Sequence, residues 1–226
     1  MTSLPPIAVF DLDGTLAETA GDLVGTLNVL LARETLPTLP LAEARDMIGA
    51  GAKALIQRGF AAAGEPLPAD KLDTLFHDFL EHYGAHLCDH SHLYPGVVEA
   101  LDALTARGFA LAVCTNKIEA HAVELLGALG IANRFAAICG RETFPYFKPD
   151  PRHITLTVER AGGDPARAVM VGDSRADIEA AKAAGIPVVG VTFGYTDLPV
   201  AELGADRVIS HYDALAEAVR ELVPAA

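Results

Sequence analysis

The chain has 226 residues, of which 51% are hydrophobic, so it is long enough to bury a substantial core as one large domain or one domain with an insertion. Acidic residues outnumber basic residues by 30 to 17, which gives a formal net charge of −13 at pH 7. This charge argues against nucleic acid or an anionic membrane as the main partner, since either would require a basic surface.

The cysteines and the amino-terminal segment indicate a cellular location. Cys88, Cys114 and Cys139 are odd in number, and two of them lie in apolar runs that read as strands, which favours reduced, buried thiols. The first residues contain no basic segment followed by a long apolar one, and no segment approaches the length of a membrane span. We therefore expect a cytoplasmic protein without a membrane partner.

The first predicted strand ends in two acidic residues. Ile7–Phe10 is an apolar run that suits a strand covered on both faces, and Asp11 and Asp13 follow it. If the chain stays extended, these carboxylates project to the same side, about 6 to 7 Å apart, which implies a cation between them or a proton on one. The alternative is a simple Asp-Gly turn. Thr15 adds a hydroxyl and a backbone N–H that could bind a substrate anion.

The next part of the chain is helical and rich in alanine, and prolines separate its helices. The spacing of apolar residues predicts four helices. They cover 21–34, 41–48, 52–63 and 69–86. We expect a small helical unit between the first strand and the rest of the chain.

After Tyr94-Pro95-Gly96, predicted strands and helices alternate. Strands are predicted at 109–114, 135–139, 168–171, 187–191 and 207–209, and helices at 97–107, 119–129, 150–161, 175–184 and 214–222. This alternation indicates an α/β fold with a parallel sheet and helices on both faces. The active site of such a fold lies at the carboxyl ends of the strands.

Polar residues follow two further predicted strands. Thr115 and Asn116 offer groups that suit an anion, and Asp173 and Asp177 lie four apart, so they can face one point as part of a site for a hard cation. Lys148 lies in a segment fixed by two prolines. Each of these residues has an ordinary alternative role, as a helix cap or a surface lysine, but four such coincidences would have to fall at one sheet edge.

These motifs, in this order, resemble the four motifs of the haloacid dehalogenase superfamily. They are Asp11-Leu12-Asp13-Gly14-Thr15, Thr115-Asn116, Lys148-Pro149, and Gly172-Asp173 with Asp177. The resemblance implies a Rossmann-like core at 1–16 and 92–226 and a helical cap of the C1 type at 17–91. The phosphoglycolate phosphatases are the subgroup that it resembles most.

The resemblance also implies a mechanism. Asp11 attacks phosphorus to form an aspartyl-phosphate, and Asp13 protonates the leaving alkoxide and then acts as base on the attacking water. Thr115 and Asn116 hold phosphoryl oxygens, while Lys148 offsets the charge of nucleophile and phosphate.

The same resemblance implies a Mg²⁺ ion bound by the carboxylate of Asp11, the backbone carbonyl of Asp13 and Asp173. Asp177 would be a direct or a water-bridged ligand. The expected substrate is a small phosphorylated metabolite, with 2-phosphoglycolate favoured, and the expected assembly is a monomer or a homodimer.

The loop from Gly49 to Lys53 lies between two cap helices. It could reach the active site and bind the substrate, or it could be an interhelix turn with an exposed lysine. Both interpretations stay open.

Other activities of the family are less consistent with these residues. Dehalogenases and phosphonoacetaldehyde hydrolases lack the second aspartate, so Asp13 argues against both, although Lys53 could serve as a Schiff-base lysine. A sugar phosphomutase keeps both aspartates and stays possible. A non-catalytic binding protein is expected to lack one of the motif residues, and all are present.

Three histidines recur every four residues, at His82, His86 and His90. A continuous helix would place them on one face, where they could bind a transition metal. Pro95 and Gly96 favour an earlier helix end, in which case the run is an exposed face without a ligand.

Overall fold

A computed structural model of the chain describes residues 4–49, 51–196 and 198–223. Its central element is a six-stranded sheet in which all neighbouring strands are parallel. The strands are β1 (Ile7–Phe10), β4 (Ala110–Cys114), β5 (Ala137–Cys139), β6 (Ala168–Gly172), β7 (Val188–Val191) and β8 (Arg207–Ile209). Their order across the sheet is β5-β4-β1-β6-β7-β8, so β1 lies between β4 and β6.

Helices cover both faces of this sheet, as the alternating sequence pattern predicts. The first face packs against α5 (Val97–Ala106), α6 (Glu119–Ala128) and α9 (Leu215–Leu222), and the second against α7 (Pro151–Arg160) and α8 (Arg175–Ala184). Alternate residues of β1 point to opposite faces of the sheet. Ala8 and Phe10 pack in the apolar cluster of the first face, and Ile7 and Val9 pack in that of the second. This explains why the strand is apolar without interruption.

The helices on the second face begin where the sequence supplies capping groups. Asp150 accepts a hydrogen bond from the backbone N–H of Arg152 at the start of α7, and Pro151 occupies the first helical position. Ser174 and Asp177 form a capping box at the start of α8, which ends at Gly185 in the left-handed conformation.

A separate helical unit lies between β1 and β4 in the chain. It consists of α1 (Ala20–Arg33), α2 (Leu41–Ala44), α3 (Ala52–Ala62) and α4 (Ala69–Ala85). Its apolar side chains form their own buried cluster, to which the core contributes Tyr195. The second predicted helix, 41–48, is not one helix, because α2 passes into a 3₁₀ turn at Arg45–Met47 and the chain becomes extended at Ile48.

A two-stranded antiparallel ribbon joins the helical unit to the core. Its strands are β2 (Ala17–Glu18) and β3 (His92–Leu93), with Ala17 opposite Leu93. The sequence did not indicate this ribbon, because two residues are too few to show an alternating pattern. The ribbon lies at the predicted domain boundaries, which stay a prediction; residues 1–3 and 224–226 of the predicted core lie outside the described chain.

Candidate active site

The polar residues of the first, second and fourth motifs follow three adjacent strands. Asp11 follows β1, Thr115 follows β4 and Asp173 follows β6, and β1 is the strand between the other two. Because parallel strands end at the same edge of a sheet, these side chains meet there. The site is therefore built by the sheet rather than by neighbours in sequence.

Three buried carboxylates form the centre of the site. One oxygen from each of Asp11, Asp173 and Asp177 lies within 4.8 Å of the others. Asp173 is fixed by two donors, since the Thr15 hydroxyl is 2.7 Å from its Oδ1 and the Tyr195 backbone N–H is 2.6 Å from its Oδ2. The second oxygen of Asp177 accepts the Ser174 capping hydrogen bonds, which leaves its Oδ1 for the cluster.

A glycine leaves the space that this cluster needs. Gly14 has a φ of +82°, and a Cβ built there would lie 2.5 Å from the Oδ2 of Asp173. The Asp-Gly dipeptide therefore gives the chain both a left-handed turn and a close approach to the carboxylate of another strand.

Lys148 is the buried cation of the cluster. Its Nζ lies 2.8 Å from the Oδ1 of Asp11 and 2.6 Å from the Oδ1 of Asp177, and the residue is 3% exposed. Burial alone would lower the pKa of this ammonium, but the charges of Asp11 and Asp177 hold it above its ordinary value. Lys148 is thus buried against two carboxylates and is not a solvated surface lysine.

The carboxylates outnumber this ammonium, and the pKa values reflect the excess charge. Burial raises the pKa of Asp11 to about 6, against the opposing charge of Lys148 and with the added repulsion of Asp177. Burial, then the charges of Asp11 and Asp177, raise the pKa of Asp173 well above its ordinary value. Oxygen ligands with uncompensated negative charge suit a hard divalent cation, so Asp11, Asp173 and Asp177 could hold one.

Asp13 faces a different partner. Strand β1 ends at Phe10 and the chain turns, so the argument from an extended chain does not apply to Asp13. Its two carboxylate oxygens lie 2.8 and 3.0 Å from the Nζ of Lys117, and its Oδ1 also accepts the hydroxyl of Thr19 at 2.8 Å. Asp11 and Asp13 therefore pair with different lysines, Lys148 and Lys117, and these positive charges reduce the repulsion between the two carboxylates.

The predicted anion-binding residues lie in different environments. Thr115 and Asn116 line the cavity in front of Asp11 and Asp13. The Asn116 Nδ2 donates to the Lys148 backbone carbonyl at 2.9 Å, and its buried Oδ1 has no hydrogen-bond partner among the described residues. Thr15 is fully buried and its hydroxyl is used by Asp173, so its substrate-binding role stays a prediction.

A cavity of about 690 Å³ lies between the core and the helical unit and is lined by residues of both. Gly49, Gly51 and Lys53 line it together with the aspartates, so the interhelix loop reaches the site; Ala50 lies outside the described residues. Lys53 is half-exposed and pairs with Asp73 at 2.6 Å, within the helical unit. The loop is thus both an interhelix turn and part of the cavity wall.

The sequence interpretation missed two residues of the site. They are Lys117, which follows Asn116 in the loop after β4, and Tyr83 on α4. The Nζ of Lys117 lies 2.9 Å from the Tyr83 hydroxyl, and both side chains are buried. The position of Lys117 in the second motif was a usable signal, but a contact between a helix and a loop 34 residues away was not visible in the sequence.

The histidine run does not form a metal site. Helix α4 ends at Ala85, so His90 leaves the helix face, and its backbone N–H donates to Asp22 at 3.0 Å. His82 and His86 stack with ring centroids 4.5 Å apart. Across the described residues, only the aspartate cluster brings three potential ligands close enough to share an ion.

Two further sequence expectations concern the cysteines and membranes. The three cysteines are free thiols, with Cys114 and Cys139 buried and Cys88 half-buried. No helix among the described residues has both the length and the apolar character needed to cross a bilayer.

Comparison with known proteins identifies the class to which this fold and site belong. The model of the haloacid dehalogenase-like hydrolase family matches residues 8–191. The chain belongs to this family of hydrolases, as its motifs predicted.

Relatives of known name are similar over almost the whole chain. A phosphoglycolate phosphatase of Mesorhizobium japonicum is 50% identical over 222 residues, which cover 98% of each protein. The crystal structure of a predicted phosphoglycolate phosphatase from Haemophilus somnus 129PT is 36% identical, covers 96% of this chain and 99% of that one, and superposes with a TM-score of 0.86. A mutant of CbbY from Rhodobacter sphaeroides, solved in complex with xylulose-1,5-bisphosphate, is 26% identical over 92% of this chain and 95% of that one, with a TM-score of 0.75.

Proposed function

We propose that this chain is a Mg²⁺-dependent phosphatase that hydrolyses a small phosphate monoester, and that 2-phosphoglycolate is its substrate. The observation that carries the proposal is the buried cluster of Asp11, Lys148 and Asp173, in which Asp11, together with the neighbouring Asp13, lines a cavity that the helical unit covers. The naming of the relatives that are about 50% identical supports the choice of phosphoglycolate.

Asp11 is the proposed nucleophile. Its carboxylate oxygen forms a bond to phosphorus while the bond from phosphorus to the ester oxygen breaks, and the proton of Asp13 passes to the leaving alkoxide. In the second step water attacks the aspartyl-phosphate, its proton passes to the Asp13 carboxylate, and the bond between Asp11 and phosphorus breaks. The sum of the two steps is one alcohol and one phosphate for each ester and water consumed.

The charges of the site explain why these two aspartates can act on an anion. A carboxylate that approaches a phosphate dianion is repelled, and Lys148 offsets part of this repulsion at 2.8 Å from Asp11. Thr115 and Asn116 line the cavity in front of Asp11, which supports their assignment as the groups that hold phosphoryl oxygens. Bound to Asp11, Asp173 and the backbone carbonyl of Asp13, Mg²⁺ would supply charge neutralisation and fix the phosphate orientation. Asp177, held by Lys148 and Ser174, suits a water-bridged contact.

The cavity contains cationic side chains that could bind the carboxylate of 2-phosphoglycolate. Lys53 approaches from the helical unit, and Arg141 lies on the core side with its guanidinium carbon 3.7 Å from the Phe147 ring centroid. These groups suit a carboxylate that extends away from the phosphate. We place the chain in the cytoplasm, since its cysteines are unpaired thiols.

The direct test measures phosphate released from a panel of esters by the purified chain with Mg²⁺. We expect 2-phosphoglycolate to have the highest kcat/KM, and the chelator EDTA to stop turnover. Asp11→Asn should abolish turnover while the circular dichroism spectrum stays that of the wild type. Stoichiometric Mg²⁺ binding without phosphate release from any ester would count against the phosphatase assignment and favour a binding protein.

A phosphorylated sugar is the second candidate substrate. The cavity of about 690 Å³ is larger than phosphoglycolate requires, and CbbY was solved with a sugar bisphosphate. The panel therefore includes pentose and hexose phosphates. A product in which phosphate has moved to another sugar hydroxyl would indicate a phosphomutase, whereas free phosphate indicates hydrolysis.

A further inference from the structure

Lys117 is a buried lysine at the site that the mechanism above does not use. Its side chain is 5% exposed. The three N–H groups of its ammonium are matched by three acceptors: Oδ1 of Asp13 at 2.8 Å, Oδ2 of Asp13 at 3.0 Å and the Tyr83 hydroxyl at 2.9 Å. A group whose donors are all used within the protein is better suited to hold a neighbour than to bind a substrate.

The contacts of Lys117 cross from the core to the helical unit. Lys117 and Asp13 belong to the core loops after β4 and β1, whereas Tyr83 lies on α4. The Lys117 Nζ is also 4.5 Å from the centroid of the Tyr83 ring, which adds a cation–π attraction. The Tyr83 ring stacks on Phe79, with ring centroids 5.9 Å apart, and makes a T-shaped contact with His121, with ring centroids 5.7 Å apart.

We propose that Lys117 is a positioning residue that holds the Asp13 carboxylate oriented to accept the proton of the attacking water, and that Tyr83 keeps Lys117 in place while the helical unit covers the site. The inference rests on the proposed phosphatase function. It gives the helical unit a part in the hydrolysis of the aspartyl-phosphate besides enclosing the substrate.

The two chemical steps can be separated with p-nitrophenyl phosphate. Its phenolate leaves without a proton, so the first step does not depend on Asp13 and is reported by kcat/KM and by a burst of p-nitrophenolate. The second step needs Asp13 as base and then sets kcat. A defect in the orientation of Asp13 therefore lowers kcat, leaves kcat/KM unchanged and produces a burst that approaches one equivalent per site.

We expect this pattern in Lys117→Met, with kcat reduced by roughly 10- to 100-fold, since general-base catalysis contributes about 10²- to 10⁴-fold in total. Tyr83→Phe keeps the ring packing and removes one hydrogen bond, so a decrease in kcat of about fivefold is expected. In the double variant, Tyr83→Phe should add nothing to Lys117→Met, because both act through one chain of contacts. Lys71→Met, at an exposed lysine paired with Glu34 on the helical unit, is the matched control and should behave as the wild type.

Three results would overturn the inference. Equal losses in kcat and kcat/KM would indicate a structural role. An increased KM for 2-phosphoglycolate alone, with unchanged kcat and no burst, would make Lys117 a substrate ligand. Additive effects of the two substitutions would separate Tyr83 from Lys117. If Lys117→Met does not fold, the test rests on Tyr83→Phe alone. An unchanged kcat in Tyr83→Phe would then contradict the positioning role.

The controls keep this inference distinct from the proposed function. If the wild type releases no phosphate from any ester, the phosphatase assignment fails. If the wild type is active and Asp13→Asn shows the burst while the Lys117 and Tyr83 variants do not, only the positioning role fails.

Discussion

Replacing Lys148 by methionine removes the ammonium of the buried acidic cluster and keeps most of the side-chain volume. In the native protein this ammonium contacts Asp11 at 2.8 Å and Asp177 at 2.6 Å. Removing one partner of a buried ion pair costs about 3–5 kcal/mol, because the remaining charge has no compensation. Asp11 can escape part of this cost by taking up a proton, because its pKa, already raised to about 6 by burial, rises further once the opposing charge of Lys148 is removed.

We therefore expect the metal-free Lys148→Met variant to lose about 3 kcal/mol of unfolding free energy at pH 7.5. For a chain of this length, that corresponds to a decrease in Tm of roughly 6–12 °C. Mg²⁺ should raise the Tm of the variant more than that of the wild type, because the cation replaces part of the missing positive charge. Phosphatase activity should be lost in both conditions.

The dependence on pH tests the cause of this loss. The ammonium stays charged over the range used, because its pKa is raised, so only the carboxylates titrate. The pKa of Asp11 is raised from 3.8 to about 6, so this carboxylate takes up a proton as the pH falls from 7.5 to 5. Without its charge, the contact with Lys148 stabilises the wild type less, and the difference between wild type and variant shrinks.

The measurement is thermal or urea unfolding of both proteins at pH 7.5 and pH 5, with EDTA and with Mg²⁺. Lys71→Met is the control, since exposed ion pairs such as that between Lys71 and Glu34 contribute about 0–1 kcal/mol. A variant as stable as the wild type without metal, or a loss of equal size at both pH values, would refute the electrostatic account of the cluster.

Three further predictions concern the space around the cluster, the cavity and the movement of the helical unit. Gly14→Ala should destabilise the protein by about 2 kcal/mol and weaken Mg²⁺ binding in calorimetry, because its φ is +82° and a Cβ there would lie 2.5 Å from Asp173. Gly25→Ala, on α1 with no atom within 4 Å of the added Cβ, should be neutral or stabilising, and equal effects at both positions would contradict the steric reasoning. Lys53→Ala should raise KM for 2-phosphoglycolate, because the proposed contact of Lys53 with the substrate carboxylate is lost; the increase should be only about threefold to tenfold, since the lysine is half-exposed and paired with Asp73. KM for p-nitrophenyl phosphate, which has no carboxylate, should change little, and a parallel change for both substrates would contradict a contact between Lys53 and the carboxylate. The angle between the helical unit and the sheet should differ between crystals with and without a phosphate mimic, because the ribbon of β2 and β3 is the short link between them; identical angles would argue against closure.

Much of the fold could be predicted because its signals are local. The uninterrupted apolar residues of Ile7–Phe10 indicated a strand buried on both faces, and the alternation after Gly96 indicated a parallel sheet. The predicted ends of the helices lie within one or two residues of the observed ends where capping groups are present, as at α7 and α8. The prediction of a single helix over 41–48 was wrong, because α2 tightens into a 3₁₀ turn at Arg45–Met47, where the Arg45 guanidinium contacts Glu18, a residue distant in sequence.

The location of the candidate site was predictable where the parallel sheet decides it. Residues that follow parallel strands lie at one edge of the sheet, and sequence pattern is sufficient to bring Asp11, Thr115 and Asp173 to that edge. Only the structure showed that their strands are adjacent. Which lysine faces which aspartate was not predictable in this way. The pairing of lysines with aspartates depends on turns, on side-chain directions and on how the helical unit packs on the core. The periodicity of the sequence does not specify that packing.

The sequence by itself therefore determined the class of fold and the edge of the sheet at which the polar motif residues lie, since these follow from periodicity and spacing; the chemical roles proposed for those residues come from the family resemblance. The tertiary structure alone decided that Lys117 pairs with Asp13 and that Tyr83 brings the helical unit into contact with the site. The physical reason is that hydrogen bonds and ion pairs depend on distances of a few ångströms between groups distant in sequence, and only packing fixes those distances.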